Sequence, residues 1–303
     1  MPLIECIPNI SEGRREAVVA ALADVVASVD GVSLLDRTAD PSHHRSVLTF
    51  VGEPAPIEEA VMALATATAQ AIDLREHAGV HPRVGALDVV PFVPLRGATM
   101  DDAIAVARRV GARLAAEIGI PIFLYQHAAT RPERRRLEEI RRGGLDGLTR
   151  RMAEEGWRPD FGPARPHPSA GVTVVGARDP LVAWNLNLAT SDVAIARTIA
   201  REIRESSGGL PGLRALGLWL AHRALAQVSM NLTDHHVTPM HVVFGRVSDA
   251  AARLGTAVVE SEIIGLVPRA ALADAREHAP ALWTWHAHQI LEDRIARCEE
   301  RRS

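Results

Sequence analysis

The run His77-Ala78-Gly79-Val80-His81-Pro82-Arg83-Val84-Gly85-Ala86-Leu87-Asp88-Val89-Val90-Pro91-Phe92-Val93-Pro94 passes from a polar, glycine-bearing turn into an apolar segment with the look of a buried strand, 86–93. An alanine-rich helical stretch, about 57–74, precedes it. Before that stand two β-branched, leucine-rich runs, 31–36 and 46–51, separated by the polar turn Thr38 to Arg45. Such a pair predicts a long hairpin. Nearer the N-terminus, residues 2–8 predict a short strand, and residues 14–29 predict an amphipathic helix with Val18, Val19, Leu22, Val25 and Val26 at helical spacing. The order is β-α-β-β-α-β, the split βαβ arrangement.

Toward the C-terminus the pattern predicts a helix at about 100–117, a strand at 121–125, and an Arg- and Glu-dense helical region from about 131 to 155 whose charges form a solvated face. Residues 157–171 carry Pro159, Pro163, Pro166 and Pro168, which exclude a regular element. The element order then repeats: strand 181–188, helix 191–205 with Ser191 as N-cap, strands 215–220 and 226–232, helix 238–254 and strand 257–266. The expected fold class is α/β (α+β), with two ferredoxin-like βαββαβ subdomains, 1–176 and 177–303, the second ending in a helical extension. Each open sheet needs cover on its bare face, and the other half's sheet is the expected cover, giving facing sheets in a double β-layer with a cleft. The stretch Leu282 to Ile295 has helical spacing and suits packing on the body or on a second subunit, so a homodimer is one expected assembly.

Composition narrows the chemistry. The chain has 303 residues, 47% hydrophobic and 23% charged, as in globular proteins. No apolar run nears the roughly 18 to 20 residues of a membrane span, and the N-terminus shows no secretory pattern. Cys6 and Cys298, at opposite ends, suggest neither a disulfide framework nor a zinc cluster, so a reducing cytoplasm is expected. A net charge of -3 gives no reason to expect nucleic acid. All 34 basic residues are arginine. Without lysine there is no Schiff base and no Gly-Lys-Ser/Thr phosphate loop.

The thirteen histidines are densest at His43-His44, His235-His236 and His241. Adjacent histidines in a regular strand face opposite ways, and no H-E-x-x-H or C-x-x-C is present, so no metal is expected. No G-x-G-x-x-G follows a strand and no G-x-S-x-G elbow is seen. What remains is His81 and Arg83. Pro82 biases His81 toward extended backbone, and in an extended segment residues two apart share a face. That pairs a proton acceptor with a fixed positive charge. Two plainer readings stay open: His81 as a polar loop residue, and Arg83 as a salt-bridge partner of Asp88 or Asp40.

Seven pieces in register carry a family resemblance: ECIPNISEG (5–13), HRSVLTFVGEP (44–54), HAGVHPRVGALDVVPFVPLRG (77–97), WRPDFGP (157–163), AWNLNL (183–188), AQVSMNL (226–232) and IIGLVP (263–268). Over about residues 1–275 the chain resembles the formiminotransferases, including the formiminotransferase part of formiminotransferase-cyclodeaminase. The resemblance implies two ferredoxin-like subdomains with facing sheets, and transfer of the formimino group from N-formimino-L-glutamate to tetrahydrofolate, a co-substrate that can carry several glutamates. It implies no metal. It makes His81 the catalytic base and assigns folate contacts to Gly162-Pro163-Ala164-Arg165-Pro166-His167-Pro168-Ser169-Ala170-Gly171. Arg45 and Arg83 are the candidates for substrate carboxylates, since a guanidinium pairs a carboxylate bidentately. The family pattern has Asn where this chain has His44, and Ala164 to His167 does not follow it. The cyclodeaminase part is expected to be absent. Two other functions fit the same pattern: a non-catalytic ferredoxin-like binding protein, and a folate transferase with a formyl donor.

Overall fold

The computed structural model describes residues 2–41, 43–77, 82–221, 223–272 and 289–301. The chain divides into two compact units, Met1–Arg178 and Asp179–Ser303. In the first unit the order is β1 (Ile4–Cys6), β2 (Asn9–Ile10), α1 (Glu16–Ala27), β3 (Val32–Asp40), β4 (Arg45–Gly52), α2 (Pro54–Ala71) and β5 (Leu87–Pro94). The strand predicted at 2–8 is split at Ile7-Pro8, where proline has no N–H to give the ladder; both pieces lie between β4 and β5, antiparallel to each. With β3 at the edge beside β4, this is the ferredoxin-like sheet. β3 runs to Asp40, further than the predicted 31–36, because Thr38-Ala39-Asp40 pairs with Val47-Ser46-Arg45 and only the tip is left to turn.

The chain then extends this sheet. α3 (Met100–Arg113) begins with a Thr99/Asp102 capping box, continues as a π-helical turn over Leu114–Ile118, and ends at Gly119 in the left-handed region. β6 (Ile122–Gln126) follows, then α4 (Leu137–Ile140) and α5 (Gly144–Arg151). β7 (Thr173–Ala177) inserts parallel between β5 and β6. The sequence reading missed β7, which follows the proline loop directly. The single helical region expected over 131–155 is also corrected: Gly143 and Gly144 both have positive φ and break it into short pieces.

Burial explains the composition of the strands. β5, β6 and β7 are apolar on both faces because the sheet is covered on both here. Ile4, Phe50, Phe92 and Val175 pack with α1, α2 and α3, while Val89, Phe123, Tyr125 and Val174 pack with Ile140, Leu148 and Met152. Each fully buried Phe or Val contributes roughly 1.5–3 kcal/mol.

The second unit is β8 (Val182–Leu188), α6 (Val193–Ile203), β9 (Leu213–Leu220), β10 (Leu225–Leu232), α7 (Met240–Arg253) and β11 (Val258–Ile264), in sheet order β11-β8-β10-β9. All pairings are antiparallel, the ferredoxin-like order again. The two hairpins match in detail, each entering its second strand through a residue of positive φ, His44 at 50° and Ala224 at 52°. The cap of α6 is Asp192, whose side chain accepts the Ala194 N–H, and not Ser191. Of the C-terminal stretch, residues 282–288 lie outside the described residues, and α8 runs Leu291–Glu300.

Candidate active site

The site is built where the loop after β2 meets the β3–β4 hairpin. Gly13 lies so close to that hairpin that a Cβ would stand 2.4 Å from the Asp40 carbonyl oxygen and 2.5 Å from the Arg45 nitrogen. The Glu12 side chain is 1% exposed. It accepts the N–H groups of Arg14 (2.8 Å) and Arg15 (3.0 Å) and the Arg15 Nε–H (2.5 Å). Burial alone would raise this carboxyl, but the two backbone donors and Arg15 outweigh it and hold it at about 2. Glu12 is therefore an anion at neutral pH.

Two imidazoles face it. His44 Nδ1 accepts the Gly13 N–H at 3.2 Å and lies 3.5 Å from Glu12 Oε1. Its ring stacks on that of His77, with centroids 4.0 Å apart. His77 Nε2 lies 3.2 Å from the His44 carbonyl oxygen, and Arg83 Nη1 meets His77 Nδ1. Arg83 Nη1 also lies 2.9 Å from His77 Nε2, and because a guanidinium only donates, the ring nitrogen it bonds is unprotonated. Burial first, then the Arg83 charge, pushes His77 down to about 4. His77 is therefore neutral at pH 7. Burial also lowers His44, with Glu12 opposing.

Beside them is a cleft of about 420 Å³ whose lining includes Glu12, Arg15, His44, Asp73, His77 and Ser169. A narrow crevice too tight for a water molecule is lined by Asn9, Ile10, Ser11, Arg45, Arg83 and Asp88. The Arg45 head group is buried, and its pKa falls to about 10 through burial and the neighbouring Arg141 charge. Burial lowers Arg83 as well, while Asp88 opposes. Three guanidiniums thus gather around the Asp88 carboxylate, and positive charge held in a partly desolvated site attracts an anion. Among the described residues no group of three or more His, Cys, Asp or Glu is arranged to hold a metal ion.

The family model for the formiminotransferase domain, N-terminal subdomain, matches residues 3–178, and that for the formiminotransferase domain matches residues 183–283. The chain belongs to the formiminotransferase family. It is similar to the glutamate formimidoyltransferase of Streptococcus pyogenes serotype M1, at 44% identity over 97% of this chain and 98% of the relative. The Thermoplasma acidophilum protein of the same name is 43% identical over the same shares. The formimidoyltransferase-cyclodeaminase of Rattus norvegicus is 42% identical over 90% of this chain and 51% of that longer relative.

Within this formiminotransferase, His81 lies outside the described residues, between His77 and Pro82. The predicted folate loop is divided. Gly162, at φ 87°, lies against Ala115, Ile120 and Pro121 near the start of β6, and Pro163, Ala164 and Arg165 are exposed. At its other end the Ser169 carbonyl accepts the Leu74 N–H (2.9 Å) and the Ala170 carbonyl accepts the Ala86 N–H (2.9 Å), on either side of residues 78–81. His167 closes this end: its ring accepts the Ala170 N–H at 3.1 Å, and its backbone pairs with Gly171. Pro166 is half-buried and Pro168 exposed. Arg45 and Arg83 line the crevice together.

Sequence reasoning did not assign Glu12, His77 or Arg141. An acidic residue just before an apolar helix is a legible signal for Glu12, since carboxylates favour the N–H groups of a helix entrance. Arg141 gave none, because its partner Asp88 is 53 residues earlier.

Proposed function

We propose that this chain is a glutamate formimidoyltransferase that moves the formimino group from N-formimino-L-glutamate to N5 of tetrahydrofolate, giving 5-formiminotetrahydrofolate and L-glutamate, with its reacting centre beside the His44–His77 cleft. The observation that carries the reading is identity above 40% along nearly the whole length to proteins of that name. The reaction belongs to histidine degradation and one-carbon metabolism, and the cytoplasm is its proposed compartment. The geometry supports it. Arg83, beside the cleft, is suited to a substrate carboxylate, and Arg45 adds charge behind it.

His81 is the proposed base. As N5 attacks the formimino carbon, the C=N double bond opens to a tetrahedral centre and N5 gives its proton to the imidazole. The imidazolium then protonates the glutamate nitrogen, and as the C–N bond to glutamate breaks the electron pair left on the imino nitrogen re-forms the C=N bond, leaving the formimino group on N5. Proton transfer of this kind works best with a pKa near the operating pH. His77, held at about 4, is too weak a base for it, and serves instead to hold Arg83.

Tetrahydrofolate is titrated with formiminoglutamate, and separately with formylglutamate, while absorbance is followed. Turnover with the formimino donor is expected. Turnover with the formyl donor alone would make the chain a formyltransferase, and folate binding without turnover a binding protein. His81→Ala should lower turnover by roughly 10²- to 10⁴-fold with folate binding retained. An unchanged rate would move the role to another residue.

A further inference from the structure

We propose that Arg141 is a positioning residue of this transferase: by occupying the Asp88 carboxylate it shapes the turn that follows His81 and keeps that carboxylate from competing with a substrate carboxylate for Arg83. The inference rests on the reading that Arg83 receives a substrate carboxylate while Arg45 adds charge behind it.

Asp88 is 2% exposed. One oxygen, Oδ1, accepts the Val84 N–H at 2.8 Å and the Gly85 N–H at 3.2 Å, while Oδ2 accepts from Arg141 Nη2. The carboxylate therefore has two separate tasks. The turn it shapes has no slack, because a Cβ on Gly85 would stand 2.0 Å from the Val172 carbonyl oxygen.

Arg141 is itself held from behind. It follows the last residue of α4, and one guanidinium gathers the carbonyls on either side of it: Arg151 donates to those of Glu139 (2.9 Å) and Ile140 (2.8 Å) in the helix and of Arg142 (2.9 Å) beyond it. Arg151 in turn lies over the Trp157 ring, 4.1 Å from its centroid. The short helices that look like a solvated, charged excursion thus anchor one arginine in the crevice.

Charge decides the consequence. A buried carboxylate stripped of its partner is strongly unfavourable and finds another cation within reach. Arg83 and Asp88 line the same crevice with Arg45. Without Arg141, Asp88 Oδ2 turns to Arg83 and acts as an internal competitor of the substrate.

The test compares steady-state kinetics and thermal unfolding of wild type, Arg141→Gln, Arg141→Lys and the double variant Arg141→Gln/Asp88→Asn. Arg141→Gln should raise the KM of formiminoglutamate or tetrahydrofolate about ten-fold or more, the mark of lost binding. Adding Asp88→Asn should return KM to within about three-fold of wild type, since the amide oxygen it introduces still accepts both turn N–H groups but carries no charge. Arg141→Lys, which keeps the charge, should stay within about three-fold of wild type. An Arg141→Gln enzyme with lowered Tm and wild-type KM would overturn the proposal, as would a double variant no better than the single one. If Arg141→Gln does not fold, the lysine and double variants decide by the same criteria. A wild-type chain that binds no folate and transfers no formimino group would instead refute the proposed function.

Discussion

Replacing Glu12 by Gln removes a charge from a buried carboxylate held by three N–H donors while keeping its size. The displacement from an ordinary 4.5 to about 2 corresponds to about 3 kcal/mol favouring the folded, ionised form. Gln retains one acceptor for the Arg14 and Arg15 backbone N–H groups but turns an NH2 toward the Arg15 Nε–H, so about 2–3 kcal/mol should be lost at pH 7. The pH dependence is sharper than the loss itself. A carboxyl with a depressed folded pKa stabilises fully above its unfolded pKa, and the contribution fades as pH falls through the folded value. The window is therefore about 4.5 down to about 2. By pH 3 the wild-type contribution should have shrunk to ~1.4 kcal/mol, so the two proteins converge. Urea unfolding at pH 7 and pH 3, followed by circular dichroism, measures the difference through the midpoints. Equal stability at pH 7, or a gap that does not narrow by pH 3, would refute the claim that Glu12 is held ionised by the turn.

Arg83→Ala should raise KM for a substrate and move the His77 titration up from about 4 toward its ordinary value, because a repelling charge is removed; NMR titration of the ring reads this, and an unmoved His77 would refute the contact. Gly13→Ala forces a Cβ against backbone atoms of Asp40 and Arg45 and should cost about 1–3 kcal/mol; a wild-type Tm would show that the loop can withdraw from the hairpin. Asp160→Ala strands the 1%-exposed Arg134 guanidinium, which Asp160 pairs at 2.9 Å, and should destabilise by about 3–5 kcal/mol; a small change in unfolding midpoint would show that the carbonyls of Gly156 and Arg158 suffice for it.

Local signals in the sequence determined the two βαββαβ orders. Strand runs, helical spacing and turn residues at Gly31 to Val51 or Ala215 to Leu232 depend on neighbours a few residues away, so they are legible without the fold. The motifs around Glu12, His81 and Arg83 were visible in the same way. Tertiary structure alone decided what those residues meet. β7 becomes a strand because β5 and β6 offer it two parallel ladders, and the predicted helix over 131–155 breaks at Gly143-Gly144 while its buried side packs on Phe123 and Tyr125. Pairs such as Asp88 with Arg141, Asp160 with Arg134, and His44 with His77 join residues 53, 26 and 33 positions apart. A charge or a ring chooses its partner by distance in space, and the chain sets that distance only after its sheets have closed.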